Sequence, residues 1–306
     1  MNRRHFLTLA AATAAATVRN TRAEAPPSAP TLTFGLLTDV QYADADPAGE
    51  RHYRASIPKL KAAVEDLAAA KPAFTVHLGD FIDRDFGSFA KVLPLLEPLG
   101  QPVRHLLGNH DYAVADADKC RVPALLGMPH DYYMFSSPGL RVLMLDTTDL
   151  APYKYPKGSA EETAATAALK RLSATGAASA TPWNGGLSTT QLTWLGRELA
   201  AATAASERVI LCGHHPVLPA DAHQLWNAAA VIDLIDRHPC VIAWFNGHNH
   251  AGAEQERNGV PYLTFKSVVH RPDTTAYSLV SLTRDRLIIT GHGREASRTF
   301  PLRPTP

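Results

Sequence analysis

Short apolar runs alternate with longer amphipathic stretches along the chain from residue 31 onward. Short apolar runs bounded by turn residues are typical of buried strands, and apolar residues spaced three and four apart indicate helices. The alternation predicts an α/β fold in which strands and crossover helices follow one another. The predicted strands are Leu32–Leu37, Phe74–Leu78, Val103–Leu107, Leu140–Leu145, Val209–Cys212, Val241–Phe245, Tyr262–Phe265, Tyr277–Leu282 and Leu287–Thr290.

Amphipathic stretches predict the helices between these strands. They cover Arg54–Ala70, Phe86–Leu96, Thr189–Ala204 and Ala222–Arg237. Ser188, with Gln191 three residues later, forms the pattern of a capping box at the start of the third helix. The link Arg284-Asp285 is too short for a crossover helix, so the last strands are expected to be antiparallel and the sheet mixed.

A Pro-rich linker at 26–30 precedes a single predicted domain over residues 31–306. Inside that domain, the segment at about 151–186 is rich in Ala, Thr, Ser, Pro and Gly, and the stretch Ser159–Ser173 predicts a surface helix. So short a segment with few large apolar side chains cannot support a core of its own. We interpret it as an insertion and not as a second domain.

Residues 1–25 have the features of a targeting segment. Arg3 and Arg4 precede the Ala-rich apolar stretch Phe6–Val18, and Ala23-Glu24-Ala25 resembles a cleavage site between small residues. The run Asn2–Leu7 resembles a twin-arginine export signal, which predicts use of the twin-arginine export machinery and a periplasmic or secreted location. The apolar stretch is too short to span a bilayer, so no membrane anchoring is expected in the mature form.

Composition and charge exclude several classes of protein. Hydrophobic residues make up 45% of the 306 residues, and 30 Lys and Arg face 29 Asp and Glu. This balance is that of a globular protein and excludes disorder, collagen and coiled coil. A formal net charge of +1 provides no basic field to hold a nucleic-acid backbone, so no nucleic-acid partner is expected.

Polar residues with metal-binding or catalytic side chains cluster directly after the predicted strands. The clusters are Thr38–Gln41, Gly79-Asp80, Gly108–Asp111, Cys212–Pro216 and Gly247–His250. The carboxyl ends of parallel strands form the crevice where ligands bind, so we expect these loops to meet at one edge. Carboxylate, amide oxygen and imidazole together suit Mn, Fe or Zn better than Ca.

In this order, the clusters resemble the signature of the calcineurin-like metallophosphoesterase superfamily, which runs Asp-x-His, Gly-Asp, Gly-Asn-His-Asp/Glu, Gly-His and Gly-His-x-His. Every part occurs between residues 39 and 250, with Gln41 where most members have His. The resemblance implies a single-domain metallophosphoesterase sandwich of mixed β-sheets flanked by helices. It also implies a metal-dependent hydrolase of phosphoric esters or anhydrides, acting on a small phosphorylated molecule.

The resemblance assigns roles to the matching positions and implies two divalent metal ions, with Mn favoured and Fe or Zn as alternatives. Metal ligands are expected at Asp39, Gln41 and His250 for one ion, at Asn109, His214 and His248 for the other, and at Asp80 between the two. His110 would stabilise the transferring phosphoryl group or protonate the leaving oxygen, with Asp111 orienting its imidazole.

Further stretches resemble the manganese-dependent ADP-ribose/CDP-alcohol diphosphatase branch. They are Thr38–Asp44, Arg51–Ser56, Asn184–Ser188 and Gly247–Gly252. This resemblance implies an exported dinuclear-metal phosphohydrolase that cleaves the pyrophosphate bond of conjugates such as ADP-ribose and CDP-choline by metal-activated hydroxide. One alternative is a periplasmic phosphomonoesterase or phosphodiesterase of broad specificity. The alternative of another class is a non-catalytic binding scaffold, which should have lost ligand positions.

Three side chains near the motifs are candidates for substrate binding. Arg51 and Arg54 could bind a second phosphate because guanidinium groups match phosphate oxygens, the alternative being a solvated helix start. His215 follows a ligand position and could either face the substrate or pack against the protein.

Overall fold

The structure, a computed structural model, describes residues 29–303. The predicted targeting segment and the first residues of the linker lie outside the described residues. Within the described range, no helix combines the length and the apolar character that crossing a membrane requires.

Two mixed sheets form the body of the molecule. The first contains β1 (Leu32–Leu37), β2 (Thr75–His77), β3 (Val103–His105), β10 (Ala276–Leu282), β11 (Arg286–Gly293) and β12 (Arg298–Pro301). The second contains β4 (Tyr133–Ser137), β5 (Leu140–Met144), β6 (Arg208–Cys212), β7 (Val241–Asn246), β8 (Ala253–Arg257) and β9 (Val260–Thr264). The strand orders are β12-β11-β10-β1-β2-β3 and β4-β5-β6-β7-β9-β8.

Each sheet contains a block of adjacent parallel strands with antiparallel strands beside it. Strands β1, β2 and β3 are parallel, and β10, β11 and β12 are antiparallel to their neighbours. In the second sheet β5, β6, β7 and β9 are parallel, while β4 and β8 pair antiparallel at the edges. The predictions of a mixed α/β fold and of antiparallel last strands are confirmed.

The helices differ from the prediction mainly at their starts. They are α1 (Ser56–Ala70), α2 (Phe89–Val92), α3 (Asp116–Lys119), α4 (Val122–Leu125), α5 (Ala160–Ser173), α6 (Thr189–Ala204) and α7 (Ala228–Arg237). The predicted helix Phe86–Leu96 is instead a short α2 between 3₁₀ segments, since Pro94 and Pro98 cannot donate helical hydrogen bonds. The predicted helix from Ala222 begins only at Ala228.

Ser188 caps α6, but only half of the predicted capping box forms. Its hydroxyl accepts a hydrogen bond from the backbone of Gln191 at 3.2 Å. The Gln191 side chain bonds the backbone of Asp146 instead of reaching back to Ser188, whose N–H donates to the carboxylate of Asp149. The start of α6 is thereby attached to the loop after β5.

The largest apolar core joins the two sheets. It includes Phe34 and Val280 from the first sheet and Ile210 and Phe245 from the second, all nearly inaccessible to solvent. A second cluster packs α6 and α7 against the second sheet, with Trp244 as its largest member. This packing holds both sheets in fixed relation, so loops that follow strands of either sheet can meet at one crevice.

Candidate metal centre

The residues predicted as metal ligands follow neighbouring parallel strands of both sheets. Asp39 and Gln41 follow β1, Asp80 follows β2 and Asn109 follows β3, whereas His214 follows β6 and His248 and His250 follow β7. The structure brings them together. His214 Nε2 lies 3.2 Å from Asp80 Oδ2, His250 Nε2 lies 3.2 Å from Asp39 Oδ1, and Asn109 lines the same cavity.

The loops that carry these side chains have unusual backbones. Positive φ angles occur at Asp39 (52°), Gln41 (42°), Asp80 (58°) and His248 (68°), where only glycine is free of steric cost. Gly108 permits a close approach, because a Cβ there would lie 2.2 Å from Asp80 Oδ1 and 2.6 Å from His214 Nε2. Strained backbone that clusters at one place is a feature of functional sites.

We call Asn109, His214 and His248 the His214 side of the centre. His214 Nδ1 lies 2.8 Å from the carbonyl oxygen of Leu78, which can only accept, so Nδ1 donates and Nε2 is the ring nitrogen left to bind a cation. His248 Nδ1 lies 3.3 Å from that nitrogen, and ligand atoms of Asp80, His214 and His248 all lie within 4.8 Å of one another. Buried donors that converge in this way match a cation site.

We call Asp39, Gln41 and His250 the Gln41 side. Gln41 Nε2 lies 2.9 Å from Asp80 Oδ2 and 3.0 Å from His250 Nε2. Among residues 29–303, neither the buried Gln41 Oε1 nor the buried Asn109 Oδ1 has a hydrogen-bond partner. A buried acceptor without a partner costs about 1–3 kcal/mol. Because both atoms are amide oxygens within a cluster of carboxylates and imidazoles, the donor set fits divalent metals such as Mn.

His110 has a different partner from the one expected. Its Nδ1 lies 2.9 Å from Asp83 Oδ1, and both side chains are largely buried. Burial opposes the imidazolium, but the negative charges of Asp80 and Asp83 outweigh it and raise the pKa of His110. Asp83 lies three residues after Asp80 on the same loop, which is the only signal in the sequence that could have identified it.

Asp111 does not orient His110, which corrects that interpretation. Its carboxylate instead accepts hydrogen bonds from the backbone N–H groups of Asp80, Phe81, Ile82 and Gly108 at 2.8–3.3 Å. The side chain is inaccessible to solvent. Asp111 therefore joins the loops after β2 and β3, and it acts on the crevice by fixing the backbone that carries Asp80.

Of the predicted substrate contacts, only Arg51 lines the crevice. Arg54 is paired with Asp44 and Asp46 on the surface at 2.5 and 2.6 Å and is not part of the lining. His215 is fully buried, with Nδ1 2.7 Å from the Thr147 hydroxyl and Nε2 3.2 Å from the Trp183 carbonyl oxygen. Burial and the neighbouring His214 lower its pKa to about 3, so His215 packs as a neutral ring.

One cavity of about 660 Å³ is lined by five of the predicted ligands, Gln41, Asp80, Asn109, His248 and His250. Its rim includes Arg51, the half-exposed Trp183, His223 and His270. His223 and His270 lie outside the motifs, so nothing in the sequence distinguishes them from ordinary histidines. His270 packs edge-on against His250, with the ring centres 4.7 Å apart.

Comparison with known proteins gives one consistent result. The sequence model of the calcineurin-like phosphoesterase family matches residues 32–252. The manganese-dependent ADP-ribose/CDP-alcohol diphosphatase of Xenopus tropicalis is 30% identical over 322 residues, covering 89% of this chain and 94% of its own length. The enzyme of the same name from Oryza sativa is 29% identical and covers 90% and 95%. A crystal structure of a dimetal phosphatase from Danio rerio superposes with a TM-score of 0.81 at 26% identity, covering 90% of this chain and 100% of that one.

Proposed function

The chain belongs to the calcineurin-like phosphoesterase family and is a metal-dependent phosphohydrolase; on that premise we propose that it cleaves the pyrophosphate bond of nucleoside-diphosphate conjugates. ADP-ribose and CDP-alcohols, for which its relatives are named, are the model substrates. Manganese is the proposed metal, because those relatives are named as manganese-dependent and the donor set here fits it.

One observation carries the choice of substrate. The cavity of about 660 Å³ is lined by five of the predicted ligands together with Arg51 and Trp183. Pockets for small molecules measure about 300–1,000 Å³, so a whole nucleotide conjugate fits this one. Arg51 forms no ion pair with a carboxylate among residues 29–303 and can fork onto a second phosphate. Trp183 is 46% exposed and offers an indole face to a base or sugar.

The chain's own residues have distinct tasks in this reaction. Divalent ions bound in such a centre would neutralise charge on the phosphoryl group and lower the pKa of a bound water. His110, which Asp83 holds through Nδ1, keeps Nε2 available to donate a proton to the transferring phosphoryl group or the leaving oxygen. Its backbone N–H donates to Asp80 Oδ1 at 2.8 Å, which fixes the histidine relative to the ligand residues.

The experiment compares substrates and two matched arginine variants. The Mn²⁺-loaded protein is assayed on ADP-ribose, CDP-choline, p-nitrophenyl phosphate and bis-p-nitrophenyl phosphate, and we expect kcat/KM to be far higher for the first two. Arg51→Gln should raise KM for ADP-ribose and leave p-nitrophenyl phosphate unaffected, whereas Arg54→Gln, already paired on the surface, should change neither. Equal or better turnover of the nitrophenyl esters would assign a phosphomonoesterase or phosphodiesterase of broad specificity instead.

Export is a separate part of the proposal. Arg3 and Arg4, the apolar stretch after them and the small residues before Pro26 support a twin-arginine signal and a periplasmic or secreted location. Replacing both arginines by lysine should leave the unprocessed precursor inside the cell. Continued processing and export of that variant would reject the twin-arginine route.

A further inference from the structure

Asn184 lies in the segment 151–186 and reaches a predicted metal ligand. Its side chain is inaccessible to solvent. The Nδ2 group donates to the carbonyl oxygens of Ser179 at 2.9 Å and Ala222 at 2.8 Å. Its Oδ1 lies 2.9 Å from His248 Nε2, so every polar atom of this side chain is engaged.

These contacts determine which ring nitrogen of His248 carries the hydrogen. Carbonyl oxygens can only accept, so the NH₂ group of Asn184 must face Ser179 and Ala222, and its Oδ1 must face His248. An amide oxygen also only accepts, which requires a hydrogen on His248 Nε2. The other ring nitrogen, Nδ1, then presents its lone pair toward His214 Nε2 and Asp80.

We propose that Asn184 is a positioning residue that fixes His248 as a metal ligand through Nδ1. The segment 151–186 then contributes a side chain that supports a ligand of the metal centre. The partner of a metal-bound histidine sets its tautomer and ring orientation, and losing such a partner typically costs about 10- to 100-fold in metal affinity. This inference rests on the proposed function only in requiring a metal site.

The neighbours of Asn184 hold it rigidly against the second sheet. The carbonyl oxygen of Trp183 accepts from His215 Nε2 at 3.2 Å. On the other side, the Asn227 carboxamide exchanges two hydrogen bonds with the backbone of Leu187, at 3.0 and 2.7 Å. Asn227 thus fixes the backbone at Leu187, directly after the segment 151–186, and has no hydrogen bond to a predicted ligand, which makes it a matched control.

The first test measures Mn²⁺ binding to the full-length protein by electron paramagnetic resonance of the free ion. Asn184→Ala should weaken the Mn²⁺ site that includes His248 by about 10- to 100-fold, while Asn227→Ala should leave that affinity unchanged. Chemical denaturation of the metal-free proteins reports any loss of stability separately. Equal losses of Mn²⁺ affinity in both variants would mean that any disturbance of the chain near Asn184 weakens binding, and would overturn the proposal.

A double variant shows whether Asn184 acts through His248. In a His248→Ala background, Asn184→Ala should cause no further loss of Mn²⁺ affinity, because the positioned ring is already missing. Additive losses would contradict the proposal.

The position of the hydrogen on the His248 ring can be measured directly in the wild-type protein, so this test does not depend on the folding of a variant. In ¹⁵N-histidine spectra of the metal-free chain, His248 should carry its hydrogen on Nε2, and a hydrogen on Nδ1 would refute the inference. A different result would reject the proposed function while leaving the role of Asn184 intact. A protein that binds Mn²⁺ with the expected Asn184 dependence but does not cleave ADP-ribose would keep the inference and lose the substrate.

Discussion

The two sides of the metal centre support their ligands differently. On the His214 side, the carbonyl oxygen of Leu78 holds the ring of His214 and the carboxamide of Asn184 holds that of His248. On the Gln41 side, the position that most family members fill with His is a neutral amide, and the ring of His250 contacts the predicted ligands Asp39 and Gln41 and packs edge-on against His270. The two imidazoles of the His214 side are therefore held by groups that are not predicted ligands, whereas the imidazole of His250 has no such hydrogen bond among residues 29–303.

This difference predicts unequal metal binding. A ligand that is already oriented loses less side-chain entropy when it binds a metal ion. We expect the His214 side to bind the first Mn²⁺ tightly and the Gln41 side to bind the second more weakly.

Asp80→Asn should have the largest effect, because Asp80 contacts both sides through His214 Nε2 and Gln41 Nε2. We expect activity to fall to background and both Mn²⁺ sites to weaken, as measured by assay and by titration calorimetry. Asp273→Asn, which removes a surface carboxylate, serves as the control. A variant that binds two Mn²⁺ ions normally would show that the sides do not share this residue.

His110→Ala should separate catalysis from metal binding. We expect kcat to fall by about 10²–10⁴-fold, the usual contribution of a positioned acid or base, with both Mn²⁺ affinities retained. Asp83→Asn should lower kcat in the same direction but by less, since the imidazole remains in place. A loss of metal affinity in either variant would mean that His110 and Asp83 support a metal site and do not act only in proton transfer.

His214→Ala and His250→Ala compare the two sides directly. Removing His214 should weaken the tighter Mn²⁺ site by about 10- to 100-fold or more, as losing even a ligand's partner does. Removing His250 should affect the weaker site alone. Calorimetric titration of each variant distinguishes the sites, and a reversed pattern would refute the contrast.

Gln41→His should have the smallest effect and the opposite sign. The backbone at Gln41 has a φ of 42°, a region that histidine enters more readily than most residues. An imidazole there should strengthen the weaker Mn²⁺ site by up to about tenfold, which corresponds to about 1.4 kcal/mol. Unchanged or weaker binding would show that the neutral amide does not limit this side.

Apolar patterning predicted the inner strands of both sheets and one edge strand, β3. The strands that were not predicted, β4, β8 and β12, all lie at sheet edges. β8 reads Ala-Glu-Gln-Glu-Arg and is almost wholly exposed. Apolar patterning reports burial, and an edge strand paired on one side only gives little of that signal. The family, the α/β fold and the class of metal-dependent hydrolase are confirmed.

The site was predictable where each residue stands inside a motif. The residues that support the motifs were less accessible to sequence reasoning, because their contacts are long-range. Asn184 meets His248 across 64 positions of the chain, and only the folded segment brings the two together. Asp111 shows the converse error. It is the sequence neighbour of His110, but its carboxylate bonds the backbone N–H groups of Asp80, Phe81 and Ile82, which lie 29–31 positions earlier in the chain.

Each side of the metal centre takes ligands from both sheets, Asp39 and Asn109 from the first and His250 and His214 from the second. Bound metal therefore cross-links two layers that are otherwise joined by apolar packing. Neither sheet can open without breaking metal–ligand bonds, so the metal-loaded protein should unfold as one cooperative unit. After chelation the sheets become separable, and their amide hydrogens should begin to exchange at different rates.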